Sequence, residues 1–431
     1  MKKFGTGSLL VGALMVAGAT LPLGAAMPAG AASAPAPAAT CGTPTKMTTA
    51  EANSTTGVTS KSITVGNVSI LSGPIPGLFE GAPIGVKAYF DYINSHGGVD
   101  GRTLIVKSAD DAFSGPQNKT ETQEDMGSDF AMVGSFSLFD GYGCKALITD
   151  PAMPDVSDSI DPETNALPNN FSTQPSTVGL QLGPLEYYKK HFPQDTRVGT
   201  IVSDVASAEA QWAGQEAALK HVGYTIAYQR DVGPLETNFT TDVIAMRNDH
   251  VNAVDLSALD WQVAASFMQD AAMQNWHPGL IFSFGPVYAD QFIAQAGGAA
   301  VTNGIQIGQA QGLYLGQDAA HVPADRLFIE YLHKVNPSWT PDFYSLFGWT
   351  SAELFVQALK AAGPHPTRGA VIDQLQKITS FDADGLLGPV NPAQKKPTNC
   401  FVALQIKDGT YQRVEPKTSG FNCSSTFFYA H

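Results

Sequence analysis

Positive charge is scarce in this chain. Lysine and arginine total 25 against 39 acidic residues, a net charge of −14. No basic run offsets the deficit, and a surface of that sign repels phosphate, so nucleic acid is excluded as a partner. Reactive constellations are missing as well. The sequence has no Gly-x-Ser-x-Gly, His-Glu-x-x-His, Gly-x-x-x-x-Gly-Lys or Cys-x-x-Cys. The nine histidines are scattered without metal-ligand spacing. His191, His221 and His250 fall near the ends of expected helices, where a partly charged ring suits the dipole. Asp110 and Asp111 are adjacent at a strand end and point to opposite sides, so they cannot act at one centre. The expectation is a protein that is not an enzyme and needs no cofactor or metal.

Long apolar runs are also lacking, except at the N-terminus. There Lys2 and Lys3 precede an apolar stretch from Leu9 to Leu23, and small residues follow through Ala32. That layout is a secretory signal peptide over residues 1–32, with cleavage near Ala31 or Ala32. The stretch is shorter than the roughly 20 apolar residues a membrane span requires. Removing it takes away two lysines and leaves the remainder more acidic. Residues 33–60 are rich in Ala, Pro, Thr and Ser and read as a flexible tether. An exported protein at the periplasm or cell surface follows.

Cysteine is rare but even in number: Cys41, Cys144, Cys400 and Cys423. In an exported chain this suggests two disulfides, with three pairings open. A hairpin turn at Lys407-Asp408-Gly409-Thr410 favours Cys400 with Cys423, leaving Cys41 with Cys144. Lipid modification of Cys41 is the competing use, but Ala38-Ala39-Thr40 is a poor context for it.

What is abundant is alternation. Ile63 to Leu71 is strand-like, and Ala82, Val86, Tyr89, Phe90 and Ile93 then recur at helical spacing. Strands at Thr103–Ser108, Phe130–Gly134 and Pro154–Ser157 follow, separated by helices. A second series starts with a helix over Val178–Lys190. It continues with strands at Arg197–Ser203, Thr225–Gln229, Ala253–Ser257, Leu280–Ser283 and Gly304–Gly308. Apolar strands alternating with helices mean parallel sheets covered on both faces. The predicted fold class is α/β, with two doubly wound parallel-sheet lobes. Helices around Asp325–Lys334, Phe343–Ala362 and Arg368–Ile378 and a final hairpin complete them.

The segment Val65 to Leu104 resembles the branched-chain amino-acid (Leu/Ile/Val-type) solute-binding proteins of ABC transporters, which have the type I periplasmic-binding-protein fold. The matching residues are Ile63-Thr64-Val65-Gly66-Asn67-Val68, Leu71-Ser72-Gly73-Pro74, and Gly85. The run Asn94-Ser95-His96-Gly97-Gly98-Val99-Asp100-Gly101-Arg102 and the pair Asp110-Asp111 complete the match. The resemblance implies a multi-stranded hinge with crossovers near Gln174, Gln309 and Cys400. Lobe one is then 61–174 plus 310–400, and lobe two 175–309 plus 401–431. It also implies a membrane permease as partner, a monomeric chain, and a small organic ligand, amino acid-like or more apolar, trapped by hinge closure. A ligand-sensing role for a signalling partner is the alternative.

Parallel sheets bind ligands at the carboxyl ends of their strands, so the loops there supply the candidates. Lobe one offers Leu78 and Phe79, then Ser135, Phe136 and Ser137, then Asp158 and Ser159. By the resemblance, the second and third of these loops carry ligand carboxylate and ammonium contacts. Lobe two offers Ser207, Asp260, Trp261 and Tyr288. Asp260 serves equally well as a helix N-cap. Phe136, Trp261 and Tyr288 together suggest a ligand more aromatic than a plain amino acid.

Overall fold

The structure is a computed structural model that describes residues 41–75, 77–175 and 179–430. The expected signal peptide and the tether up to residue 40 lie outside the described residues. Strands β1 (Ser62–Ser69), β2 (Thr103–Asp110), β3 (Met132–Val133) and β4 (Asp155–Val156) form one parallel sheet in the order β2-β1-β3-β4. Ile63 and Val65 on one face of β1 and Val68 on the other are buried, as a strand covered on both faces requires. The helix Gly81–Ser95 connects β1 to β2, and Gly115–Ser128 connects β2 to β3.

A short strand β5 (Gly179–Gln181) precedes the second sheet. That sheet contains β6 (Arg197–Ser203), β7 (Thr225–Val232), β8 (Ala253–Asp255), β9 (Leu280–Phe284) and β10 (Gln306–Gln309), all parallel. The antiparallel hairpin β11 (Val402–Lys407) and β12 (Thr410–Glu415) extends it, giving β12-β11-β10-β9-β8-β6-β7. The hairpin turns at Asp408 and Gly409 with φ of 54° and 70°. Positive φ at both central residues is what a two-residue hairpin demands, and Asp-Gly tolerates it. Between β10 and β11 the chain runs back to the first sheet, where the helix Phe343–Ala362 packs along Gly81–Ser95. The molecule is α/β with two lobes.

Two sequence expectations need correction. The span 41–60 is not a loose tether. Cys41 is bonded to Cys144, Thr48 and Glu51 cap the helix Thr49–Ala52 reciprocally, and the Arg368 amide donates to the Ser54 carbonyl at 3.0 Å. A covalent bond and polar contacts hold a segment too poor in apolar residues to dock by burial alone. The helix read from Val178 starts at Leu182 instead, because Gly179–Gln181 pairs with the distant C-terminal strand β13 (Phe427–Tyr429). The second disulfide, Cys400–Cys423, anchors that C-terminal segment.

Buried carboxyls set the pH response. Burial pushes Asp255 and Asp342 up to about 6, Asp325 to about 7 and Glu353 to about 8. In the unfolded chain such groups titrate near 4. The folded protein therefore binds more protons between these values, and its stability falls as pH rises through them. The thermal midpoint should drop steadily from pH 5 to pH 7.5, and Glu353→Gln should flatten the upper part of that decline. A midpoint that is level or climbs over this window contradicts the assignment.

Candidate functional site

The strand orders locate the site. In the first sheet the order reverses between β1 and β3, and in the second between β6 and β8. Crevices open at such switch points, beyond the carboxyl ends of the strands. Here the loops from all four of these strands line one cavity of about 140 Å³. After β1 come Leu78 and Phe79, and after β3 Phe136 and Leu138. After β6 come Ser207 and Ala208, and after β8 Leu259 and Asp260. Phe343 and Tyr344, from the first turn of the helix Phe343–Ala362, complete the wall.

Internal polar groups hold two of these loops in place. Ser69 donates to Asn67 at 2.8 Å and accepts from the Phe136 amide at 3.1 Å, which pins the loop after β3. Asp255 accepts from the Ser257 amide at 2.9 Å and from its hydroxyl at 2.5 Å, and Gln215 also donates to it. That fixes the loop after β8. The aromatic rings then meet at steep angles. Phe79 lies 4.9 Å from Phe136 and 4.5 Å from Tyr344, and Phe136 lies 5.1 Å from Tyr344. A second chamber of about 170 Å³ adjoins the first, sharing Phe136, Gln174, Gln211 and Phe343 with it, and has Gln311 and Phe427 in its walls.

Asp260 is the charged group of the first chamber. It stands at the N-cap of the helix Trp261–Met273, with the Trp261 and Gln262 amides against its carboxylate. Oδ1 is sealed from solvent without a partner, and Oδ2 is 3.5 Å from the Tyr344 hydroxyl. Burial raises its carboxyl to about 6.

A family model for the periplasmic binding proteins matches residues 62–410, which includes every loop of this cleft. The chain belongs to the periplasmic binding protein family. Among solved structures, the fatty acid ABC transporter substrate-binding protein from Thermomonospora curvata is similar at a TM-score of 0.73 and 20% identity, covering 86% of this chain and 94% of that one. A branched-chain amino acid ABC transporter protein from Thermus thermophilus with bound valine matches at 0.70 and 18%, covering 85% and 98%. A solute-binding protein from R. palustris in complex with benzoate matches at 0.66 and 17%, covering 85% and 97%. At these identities the likeness shows the shared fold. No curated protein matches the chain.

Within this periplasmic binding protein, the residues singled out from the sequence fall into three groups. Leu78, Phe79, Phe136, Ser207 and Asp260 line the first chamber. Asp158 and Ser159 line the second, but both are committed internally. Asp158 accepts from Ser172 at 2.7 Å and from the Gln174 amide at 3.0 Å, and Ser159 accepts from Asn170 at 3.1 Å.

The others are turned away. Ser135 accepts from the Val68 amide at 3.1 Å, and Ser137 donates to the buried Asp111 at 2.5 Å, so both hydroxyls serve the interior of the first lobe. Trp261 is partly buried against the large apolar cluster and is not among the cavity's lining residues. Tyr288 is completely buried between Tyr314 and Tyr411, and its hydroxyl bonds to Gln317. Phe343 and Tyr344 were not legible as site residues, because they reach the cleft from a helix that follows a second crossing between sheets.

Proposed function

We propose that this protein is the extracytoplasmic substrate-binding component of an ABC importer. It takes up a small apolar or aromatic molecule between its lobes, performs no chemistry on it, and acts as a monomer alongside a membrane permease. Residues 1–32 direct export and are then removed. The chain crosses between lobes near Gln174, Gln309 and Cys400, making lobe one 61–174 plus 310–400 and lobe two 175–309 plus 401–431.

The observation that carries this reading is the meeting of four switch-point loops, two from each sheet, around one aromatic-walled cavity. A ligand there touches both lobes only when they are closed, so it favours the closed state by the difference in contacts. The neighbours' names, which mention valine, benzoate and fatty acid, suit an apolar cargo.

Native mass spectrometry of the purified chain should reveal a retained small molecule. Stripping it and adding it back should reduce the radius of gyration in solution scattering. A ligand that binds with no compaction contradicts the closure mechanism, and enzymatic turnover of that ligand contradicts the binding role.

A further inference from the structure

Building on that cleft reading, we propose that the ligand is an uncharged, elongate molecule that spans both chambers. Its apolar end sits in the first, and an amide-like end that donates and accepts hydrogen bonds sits in the second. The chambers have Phe136, Gln174, Gln211 and Phe343 in common, so one molecule can reach from one into the other. Their linings differ in kind. Leu78, Phe79, Leu138 and Val263 give the first an apolar wall. The second gathers Gln174, Gln181, Gln211, Gln309 and Gln311.

The linings disfavour charge of either sign. Among the described residues of both there is no lysine, arginine or histidine, and the acidic ones are Asp158 and Asp260. Such a lining repels an anion. The Ser135 and Ser137 hydroxyls, expected to meet a ligand carboxylate, line neither chamber. A cation gains little, because both carboxylates already have donors. Asp158 accepts from Ser172, Thr173 and the Gln174 amide, and Asp260 has the Trp261 and Gln262 amides against it. A charged group leaving water for this cleft would lose its hydration and find no free partner.

Neutral hydrogen-bonding capacity is what remains. Gln309 is committed, since its side-chain amide donates to the Gln311 and Gly312 carbonyls, both at 3.0 Å. Gln311 is not. It is only 6% exposed, yet its side-chain amide bonds to no described residue and is not among the sealed polar atoms, so it keeps surface in the chamber it lines. A glutamine amide offers donors and an acceptor without charge, which is the complement of another amide.

Three compounds on one skeleton test this by titration calorimetry on the stripped protein: 4-phenylbutyramide, 4-phenylbutyrate and 4-phenylbutylamine. The amide should bind at least about tenfold more tightly than either charged compound. Gln311→Leu should weaken the amide about fivefold, the worth of one neutral hydrogen bond. If Gln311→Leu does not fold, Gln211→Leu takes its place, because Gln211 is exposed and lines both chambers. A charged compound that binds at least as tightly as the amide overturns the inference, although the cleft reading stands. Unchanged amide affinity in the folded glutamine variant also overturns it. Failure of all three compounds overturns it too, and the cleft reading falls with it only if the purified protein also retains no small molecule.

Discussion

Ala208→Trp should abolish ligand binding and leave the fold standing. Ala208 sits in the first turn of the helix Ala206–Val222, directly after β6, and is partly exposed on the cavity wall. It lines a cavity of about 140 Å³. An indole is among the bulkiest side chains and would fill much of that space itself. The new side chain would enter an existing void. The affinity for the small molecule that the purified protein retains should fall by at least about 100-fold, equivalent to roughly 2.8 kcal/mol. The thermal midpoint without ligand should stay near that of the parent chain. Unchanged affinity in a folded Ala208→Trp protein would place the ligand elsewhere and remove the basis for the functional reading.

The second large effect is on stability. Where the helices Gly81–Ser95 and Phe343–Ala362 cross, each contributes a glycine. A Cβ on Gly348 would stand 2.0 Å from the Ala82 carbonyl oxygen, and one on Gly85 would stand 2.0 Å from the Ser345 carbonyl oxygen. Both obstacles are backbone, so no side chain can swing aside. The helices must separate, loosening the packing of Trp349 on Tyr89, whose rings meet at 4.9 Å, and of Phe90 on Phe355.

Overpacking a well-filled core costs about 1–3 kcal/mol, and a backbone clash belongs at or above the top of that range. Gly348→Ala should therefore lower the denaturation midpoint sharply or prevent folding. Adding Gly85→Ala should cost less than its effect alone, because the same crossing has already opened. Gly127→Ala is the internal control. It lies in the helix Gly115–Ser128 with no atom within 4 Å of the added methyl, and it should be neutral or stabilising. Equal stability of Gly348→Ala and the parent would mean that the crossing is looser than described.

These helices also bear on the site. Phe343–Ala362 carries Phe343 and Tyr344 into the cleft at its first turn, where Asp342 accepts from the Ser345 amide at 2.6 Å. Spreading the crossing moves that turn, so a folded Gly85→Ala variant should bind ligand more weakly as well.

Local pattern alone settled the alternation of strands and helices, the two-lobed α/β class, the Asp408-Gly409 turn and the loops that carry Leu78, Phe79, Phe136, Ser207 and Asp260. Each depends on periods of two or 3.6 residues, on a turn's φ, or on which end of a strand a loop leaves, and neighbouring residues decide all of these. Long-range partners decided the rest. Ser137 turns inward because Asp111 is waiting there, Tyr288 is sealed because Tyr314 and Tyr411 enclose it, and residues 179–181 form a strand because the C-terminus arrives to pair with them. The direction of a loop side chain is chosen by whichever polar or apolar group the folded chain brings within reach. Those groups come from residues too far along the sequence for any local period to register.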